Sequence, residues 1–353
     1  MRAIVDKLRK ERTLTHEEFE ALITNKDPAA DEYLYSSARE VTDEVYGRGV
    51  FIRGLIEVTS YCKNDCYYCG IRRSNARAQR YRLTKEQILE CCSHGYNLGF
   101  RTFVLQGGED GYFTDKILAD IVSSIKSSHP DCAVTLSFGE KSYDSYKMLK
   151  DAGADRYLLR HETADECHYG KLHPETMTLK SRMQCLRDLK EIGYQVGCGF
   201  MVGSPYQTTD NVISDLEFIR DFKPHMVGIG PYLPHNDTPF RDRESGSLRL
   251  TLTAVAITRL LLPNALIPST TALATLHPNG RKLGIAAGAN VIMPNLSPSE
   301  TRKKYALYEN KETTTTMEEL GEYEIIIGRG DAAGENWLFC HCGLDPQSQY
   351  RLQ

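Results

Sequence analysis

Cys62, Cys66 and Cys69 stand at CxxxCxxC spacing in the stretch YCKNDCYYCG, directly after an apolar, strand-like run. Three thiolates in one loop can hold three corners of a four-iron cubane and leave the fourth iron open to an outside ligand. A structural cluster or a structural zinc normally recruits a fourth protein ligand. Zinc sites usually show paired CxxC units, which this loop lacks, so zinc with a distant fourth ligand is the weaker reading. A disulfide framework is weaker still, because the eleven cysteines are an odd number.

Further residues of chemical type follow other apolar runs. Gln106-Gly107-Gly108-Glu109-Asp110 follows one, Thr135 and Ser137 end another, and Arg160-His161-Glu162 follows a third. Arg160 and Glu162 are two apart on a strand and so share a face with Leu158. Burying unpaired charge costs several kcal/mol per ion. A zwitterionic ligand between the two would satisfy both; a structural ion pair is the alternative. Gly197, Gly199 and Met201 share one strand face, and Met226, Gly228 and Gly230 another. Inward-facing glycines would open a chamber, whereas glycines at bulges or close backbone approaches would not.

The elements that must position these residues alternate in a βα rhythm. Eight strands are expected over 52–58, 102–106, 133–137, 156–160, 195–201, 226–230, 266–270 and 290–293. Amphipathic helices are expected over 85–98, 115–127, 143–152, 179–192, 211–221 and 252–261, the first opened by the capping box Thr84-x-x-Gln87. Eight such units predict an α/β fold, a (βα)8 TIM-type barrel, and every chemically unusual residue then falls on the carboxyl-end rim where such barrels do their chemistry. Residues 1–50 read as helices covering one end, 51–310 as the barrel, and 311–353 as a C-terminal extension whose tail after 331, without helical or strand period, is expected to be disordered.

The 353 residues are 41% hydrophobic and 25% charged, ordinary for a globular chain. A net charge of -4 without a basic block argues against nucleic acid or an anionic membrane as partner, and points to a small-molecule substrate. No stretch approaches the ~20 apolar residues of a membrane span, and the first 25 residues hold no signal-like apolar run. A cytoplasmic protein with reduced thiols is expected.

The cysteine loop, with aromatic Tyr68 before the third cysteine, resembles that of the radical S-adenosylmethionine (SAM) enzymes. The blocks CKNDCYYCGIRRSN, FRTFVLQGGED, ADRYLLRHETA, GFMVGSPYQT, HMVGIGPYLPHNDTPF and ANVIMPN narrow the resemblance to the HydE family of [FeFe]-hydrogenase maturases, over residues 52–308. The resemblance implies that Cys62, Cys66 and Cys69 ligate a [4Fe-4S] cluster whose open iron takes the SAM amino and carboxylate groups. It further implies that Gly107-Gly108-Glu109 receives the amino group, that Tyr68, Gln106, Thr135, Ser137, Glu162, Arg182, Met201 and Tyr305 contact SAM, and that Arg160, Thr270 and Thr271 line the substrate chamber. For Arg182 only the resemblance speaks, since an arginine in a helix usually faces solvent. The implied activity is reductive cleavage of SAM to methionine and a 5′-deoxyadenosyl radical, acting under anaerobic conditions on an organometallic iron-cysteine substrate during maturation of the hydrogenase active-site cluster. A reducing electron donor and other hydrogenase maturases are the implied partners.

The chain departs from the family near its end. Residues 311–328 hold no cysteines where some members carry a second cluster, and Cys340 and Cys342 do not reproduce that spacing. Rival readings are a methylornithine synthase-like mutase, a biotin synthase-like sulfur insertase, weakened by the missing auxiliary ligands, and a non-catalytic iron-sulfur scaffold or carrier.

Overall fold

In the computed structural model, which describes residues 1–312 together with 324–326, the chain enters its sheet at Gly49. The strands are β1 (Gly49–Ile52), β2 (Gly54–Thr59), β3 (Thr102–Gly107), β4 (Ala133–Ser137), β5 (Arg156–Leu158), β6 (Gln195–Cys198), β7 (Met201–Val202), β8 (Met226–Val227), β9 (Gly230–Pro231) and β10 (Val291–Ile292). β2, β3, β4, β5, β6 and β8 pair in that order, all parallel. The ring is completed through Leu266, bridged to Met226, and Pro268, bridged to Val291, while Val291 pairs with Phe51 at the start of the first strand. The result is a (βα)8 TIM-type barrel with α-helices between the strands.

Several expected strands are broken. The first divides at Arg53, the fifth into β6 and β7, and the sixth into β8 and β9, while the expected run 266–270 contributes only isolated bridges. The cause at the fifth strand is visible at Gly199, whose φ is +154° and where a Cβ would lie only 2.0 Å from the Gly228 carbonyl oxygen. Of the glycines on the two faces, Gly199 thus serves close backbone contact. Gly228 instead opens into space, with nothing nearer than 3.8 Å to its missing Cβ. Beside it lies a small cavity, lined by Val104, Thr135, Leu158, Met226 and Gly228 among others.

The helices form where amphipathic periodicity places them, with Thr84 accepting from the Gln87 N–H and Gln87 accepting from the Thr84 N–H as a reciprocal cap. Four short helices, Glu166–Leu172, Thr271–Leu276, Gly280–Ala286 and Ser299–Arg302, escape sequence reading because none spans enough turns to show a period. Phe103, Leu105, Val134, Leu136, Tyr157 and Val196 alternate outward from the strands into the helical layer, each almost fully buried. The N-terminal helix Pro28–Tyr46 packs against helix Leu248–Leu261. Its last residue, Tyr46, reaches the amino-end of the barrel, with its hydroxyl donating to the Asn264 carbonyl at 2.6 Å. A further strand, β11 (Glu324–Ile326), pairs parallel with Gly49–Phe51. The tail after 331, expected to be disordered, and Cys340 and Cys342 lie outside the described residues.

Candidate active site

The cysteine loop leaves the carboxyl end of β2 and is held from several sides. Tyr67 N–H donates to the Leu172 carbonyl at 3.0 Å, Gly70 N–H to Leu307 at 2.9 Å, and Lys63 N–H to Glu109 at 2.8 Å. Asp65, between the first two cysteines, accepts from Arg72 Nε at 2.7 Å and from Ser74. These donors hold its carboxyl down at about 2 in spite of partial burial. The guanidinium of Arg80 donates to four carbonyls, those of Ser60, Ile71, Arg72 and Asn75, so that one side chain fixes the loop's curvature. No periodicity or ligand spacing marks Arg80 in the sequence; its role arises only once the loop is folded.

All three cysteines are free and half-buried. Burial pushes each thiol up, Cys69 to about 12, and the neighbouring sulfurs add to the rise at Cys66. Among the described residues no group of three or more His, Cys, Asp or Glu side chains is disposed to hold a single metal ion.

The glycines after β3 let the second loop press against the first. A Cβ at Gly108 would lie 2.3 Å from the Tyr61 carbonyl oxygen and 2.8 Å from Cys62 Cβ, and one at Gly107 2.8 Å from Thr59 Cγ2. Glu109 ties this pair to the third loop: its carboxylate accepts from Glu140 N–H at 3.1 Å and pairs with Lys63 at 3.2 Å. Gln106 donates to the Tyr305 hydroxyl at 3.3 Å, linking β3 to the segment after the eighth strand.

Deeper in the mouth of the barrel, Arg160 and Glu162 approach at 3.2 Å. Glu162 Oε2, Arg160 Nε and Nη2, Thr135 Oγ1 and Thr270 Oγ1 are nevertheless buried without a hydrogen-bond partner. Buried polar atoms are normally satisfied, and orphans call for a ligand. Glu162 is also held at φ +67°, a left-handed conformation that costs a non-glycine residue of order 1 kcal/mol. Behind it the fully buried His161 sits 3.2 Å from Asp215, facing the helical layer rather than the chamber.

Arg182 does not face solvent. Burial opposes its charge, yet Tyr169, Glu140, Glu109 and Tyr68 around it keep its pKa raised. It donates to Glu140 at 2.8 Å and to the Arg160 carbonyl at 3.0 Å, spanning from helix Leu179–Glu191 to the end of the fourth strand. Met201 packs with Leu172, Tyr232 and Phe240 beside Tyr67 and Tyr68. The Tyr68 hydroxyl lies 3.2 Å from His173 Nε2, whose Nδ1 is 3.0 Å from the Tyr169 carbonyl. Thr270 stands at the N-cap position of helix Thr271–Leu276 without a capping hydrogen bond, its Oγ1 2.9 Å from where a Cβ on Gly230 would be; Thr271 begins that helix. Ser137 lies opposite Gln106 in register. Cys62, Cys66, Cys69, the Gly107-Gly108-Glu109 loop, Arg160 and Glu162 therefore belong to adjoining segments of one rim, which Arg182 reaches from helix Leu179–Glu191.

The Radical SAM superfamily profile matches residues 56–219, from inside β2 to the helix after β7. The chain is 45% identical over 310 residues to the [FeFe] hydrogenase maturase subunit HydE of Thermotoga maritima, covering 88% of each sequence. It belongs to the HydE family of radical SAM enzymes. The 3-methylornithine synthase of Methanosarcina barkeri is 30% identical over 86% of each sequence. Among solved structures, methylornithine synthase (PylB) superposes with a TM-score of 0.76 at 29% identity, covering 84% of this chain and 87% of that one. The [FeFe]-hydrogenase maturase HydG, with a TM-score of 0.78 at 22% identity over 92% of this chain and 75% of that one, shares the fold.

Radical SAM enzymes of the HydE family use a [4Fe-4S] cluster and SAM. The residues present fit both: three free thiols from one loop, and orphaned polar atoms of both signs in the adjoining mouth. No helix among the described residues is long and apolar enough to cross a membrane.

Proposed function

We propose that the protein is a HydE-type maturase that cleaves SAM reductively and acts on a small organometallic iron-cysteine substrate during assembly of the [FeFe]-hydrogenase active site. The observation that carries this reading is the set of orphaned polar atoms on Arg160, Glu162, Thr135 and Thr270, gathered next to the three-cysteine loop in a chain of HydE type. A cluster bound there supplies the electron that splits SAM into methionine and a 5′-deoxyadenosyl radical.

In this reading Cys62, Cys66 and Cys69 are the cluster ligands. Glu162 and Arg182 offer opposite charges to the zwitterionic end of SAM, with Gly107-Gly108-Glu109, Tyr68, Gln106, Thr135, Ser137, Met201 and Tyr305 as its remaining contacts. Arg160, whose Nε and Nη2 lack a hydrogen bond, offers its guanidinium to an anionic substrate, with Thr270 and Thr271 on the opposite wall. The apolar lining below, from Leu158, Met226 and Val104, keeps water from a reactive radical. Residues 51–310 form the catalytic unit, the preceding helices brace it, and 311–353 form an extension. The work requires reduced thiols and an anaerobic compartment, the cytoplasm, with an electron donor and other maturases as partners.

The test is anaerobic incubation of the cluster-loaded protein with SAM and dithionite, with and without the other hydrogenase maturases, followed by analysis of products. Formation of 5′-deoxyadenosine that rises with the maturases is expected. A second reading, a 3-methylornithine synthase, rests on the 30% identity and the shared fold; appearance of 3-methylornithine in the same assay would favour it.

A further inference from the structure

An electron used at Cys62, Cys66 and Cys69 has to enter from outside the protein. The three side chains are only half-buried, and exposed residues of their own loop, Tyr61 and Lys63 among them, offer a way in from solvent. In a chain of net charge -4, every exposed charged side chain between Tyr61 and Thr84 is a cation: Lys63, Arg73, Arg77 and Arg82.

Three of these cations have carboxylate partners, but in each pair the carboxylate is the inner member. Lys63 is 65% exposed against 10% for Glu109, Arg77 83% against 21% for Asp237, and Arg82 35% against 3% for Asp110. The acids thus anchor the cations from behind, and solvent meets the positive ends. Tyr61 and Tyr112, both exposed, bracket Arg82 with its guanidinium 3.9 and 4.9 Å from their ring centres. Arginine and tyrosine are the residue types enriched where proteins dock.

We propose that this outer face of the cysteine loop is the docking surface for an acidic one-electron carrier protein. The proposal rests on the radical SAM reading above. In the step it serves, the carrier loses one electron and the bound cluster gains one; no bond forms or breaks and no proton is transferred. Complementary charge would speed encounter and set orientation more than it adds raw affinity, raising association about ten- to a thousandfold in general.

The test uses the cluster-loaded protein and its double variant Arg73→Glu/Arg77→Glu, with photoreduced flavodoxin as the acidic carrier and reduced methyl viologen, a small cation, as the contrasting reductant. Flavodoxin-driven 5′-deoxyadenosine formation should fall about tenfold or more. The flavodoxin Kd, titrated at low salt without SAM, should weaken in parallel, and the viologen-driven rate should hold. Arg73→Gln/Arg77→Gln should give a smaller change of the same sign, which guards against a loop disrupted by repulsion between the introduced carboxylate and Asp237. Unchanged flavodoxin affinity in both variants would overturn the proposal, as would equal losses with both reductants. If the wild type produced no 5′-deoxyadenosine even with viologen, the functional reading would fail, and the titration would still judge the surface.

Discussion

Arg160 and Glu162 point their charges at each other across 3.2 Å at the barrel mouth, yet each keeps buried polar atoms with no hydrogen bond. The atoms that meet, Arg160 Nη2 and Glu162 Oε2, are themselves among those without a hydrogen bond, so the contact is Coulombic with donor and acceptor poorly aligned. That geometry leaves hydrogen-bonding capacity for something that enters between them. A charge-assisted hydrogen bond contributes ~1.5–3 kcal/mol, so Glu162→Gln should weaken SAM binding about tenfold or more while the cluster spectrum stays unchanged. Glu162→Gly should lose SAM binding as well but keep its Tm, because glycine accepts φ +67° without strain. Equilibrium dialysis and thermal melts on the same preparations check both; undiminished SAM affinity in Glu162→Gln would remove Glu162 from the SAM site.

The contact between the glycine loop and the cysteine loop gives a sharper structural contrast. A methyl on Gly108 would fall 2.3 Å from a backbone oxygen that cannot move without displacing Cys62, whereas one on Gly111 meets nothing within 4 Å. Gly108→Ala should therefore lower iron and sulfide content after anaerobic reconstitution, and Gly111→Ala should leave it at the wild-type value. Equal retention in the two variants would mean that the loops are not coupled.

What can be read in the sequence follows from how local each signal is. The CxxxCxxC loop and the βα rhythm are local patterns, and they are enough to place the cysteine loop, the barrel and most helices. The expected strands break at Arg53, Gly199 and Gly228, where pairing partners far away in sequence decide where a strand stops and resumes. Arg80, His173 and Lys311 escape sequence reading for a related reason: each acts on partners that only the folded chain brings near, and a lone cation or histidine carries no spacing signature. Arg182 shows the same limit from the other side, since its helix pattern alone assigns it to solvent and only its 2.8 Å contact with Glu140 reveals a buried role.

Lys311 pairs with Glu57, a carboxylate fully buried on β2, which also accepts from Asn295 Nδ2 at 2.8 Å. The same ammonium donates to the Tyr305 carbonyl at 3.0 Å, so one side chain fastens the segment after the eighth strand to the first. Breaking a buried pair by removing one partner strands the other charge and generally costs about 3–5 kcal/mol. Lys311→Met should destabilise by about 3 kcal/mol or more, and Glu57→Gln/Lys311→Met should recover most of the loss. Denaturant unfolding of the wild type, both single variants and the double closes the cycle; additive losses would show that the two side chains do not act as a pair.

The last prediction concerns acid. His173 is almost completely buried, and burial lowers its pKa from 6.5 to about 3, with the nearby cation Arg182 and His168 acting in the same direction and the Tyr169 carbonyl opposing them. In the folded protein the ring is neutral, donating from Nδ1 to Tyr169 and accepting at Nε2 from the Tyr68 hydroxyl. Between pH 6.5 and about 3 the unfolded chain takes up a proton that the folded state refuses, so the stability this residue confers is present above 6.5 and is lost as pH falls. The slope is ~1.4 kcal/mol per pH unit, which amounts to about 1.4 kcal/mol between pH 7.5 and 5.5. His161, whose pKa burial also lowers to about 3, contributes with the same sign, while its partner Asp215, pushed up by burial, works against it. Comparing the wild type with His173→Gln separates the terms, because the amide can make the same two hydrogen bonds without titrating and the variant keeps the His161 and Asp215 contributions. Denaturant unfolding at pH 7.5 and 5.5 should show the wild type losing about 1.4 kcal/mol more than His173→Gln. Equal losses in the two proteins would mean that His173 is accessible to protons in the folded state and that the Tyr68 to Tyr169 link beside the cysteine loop is open.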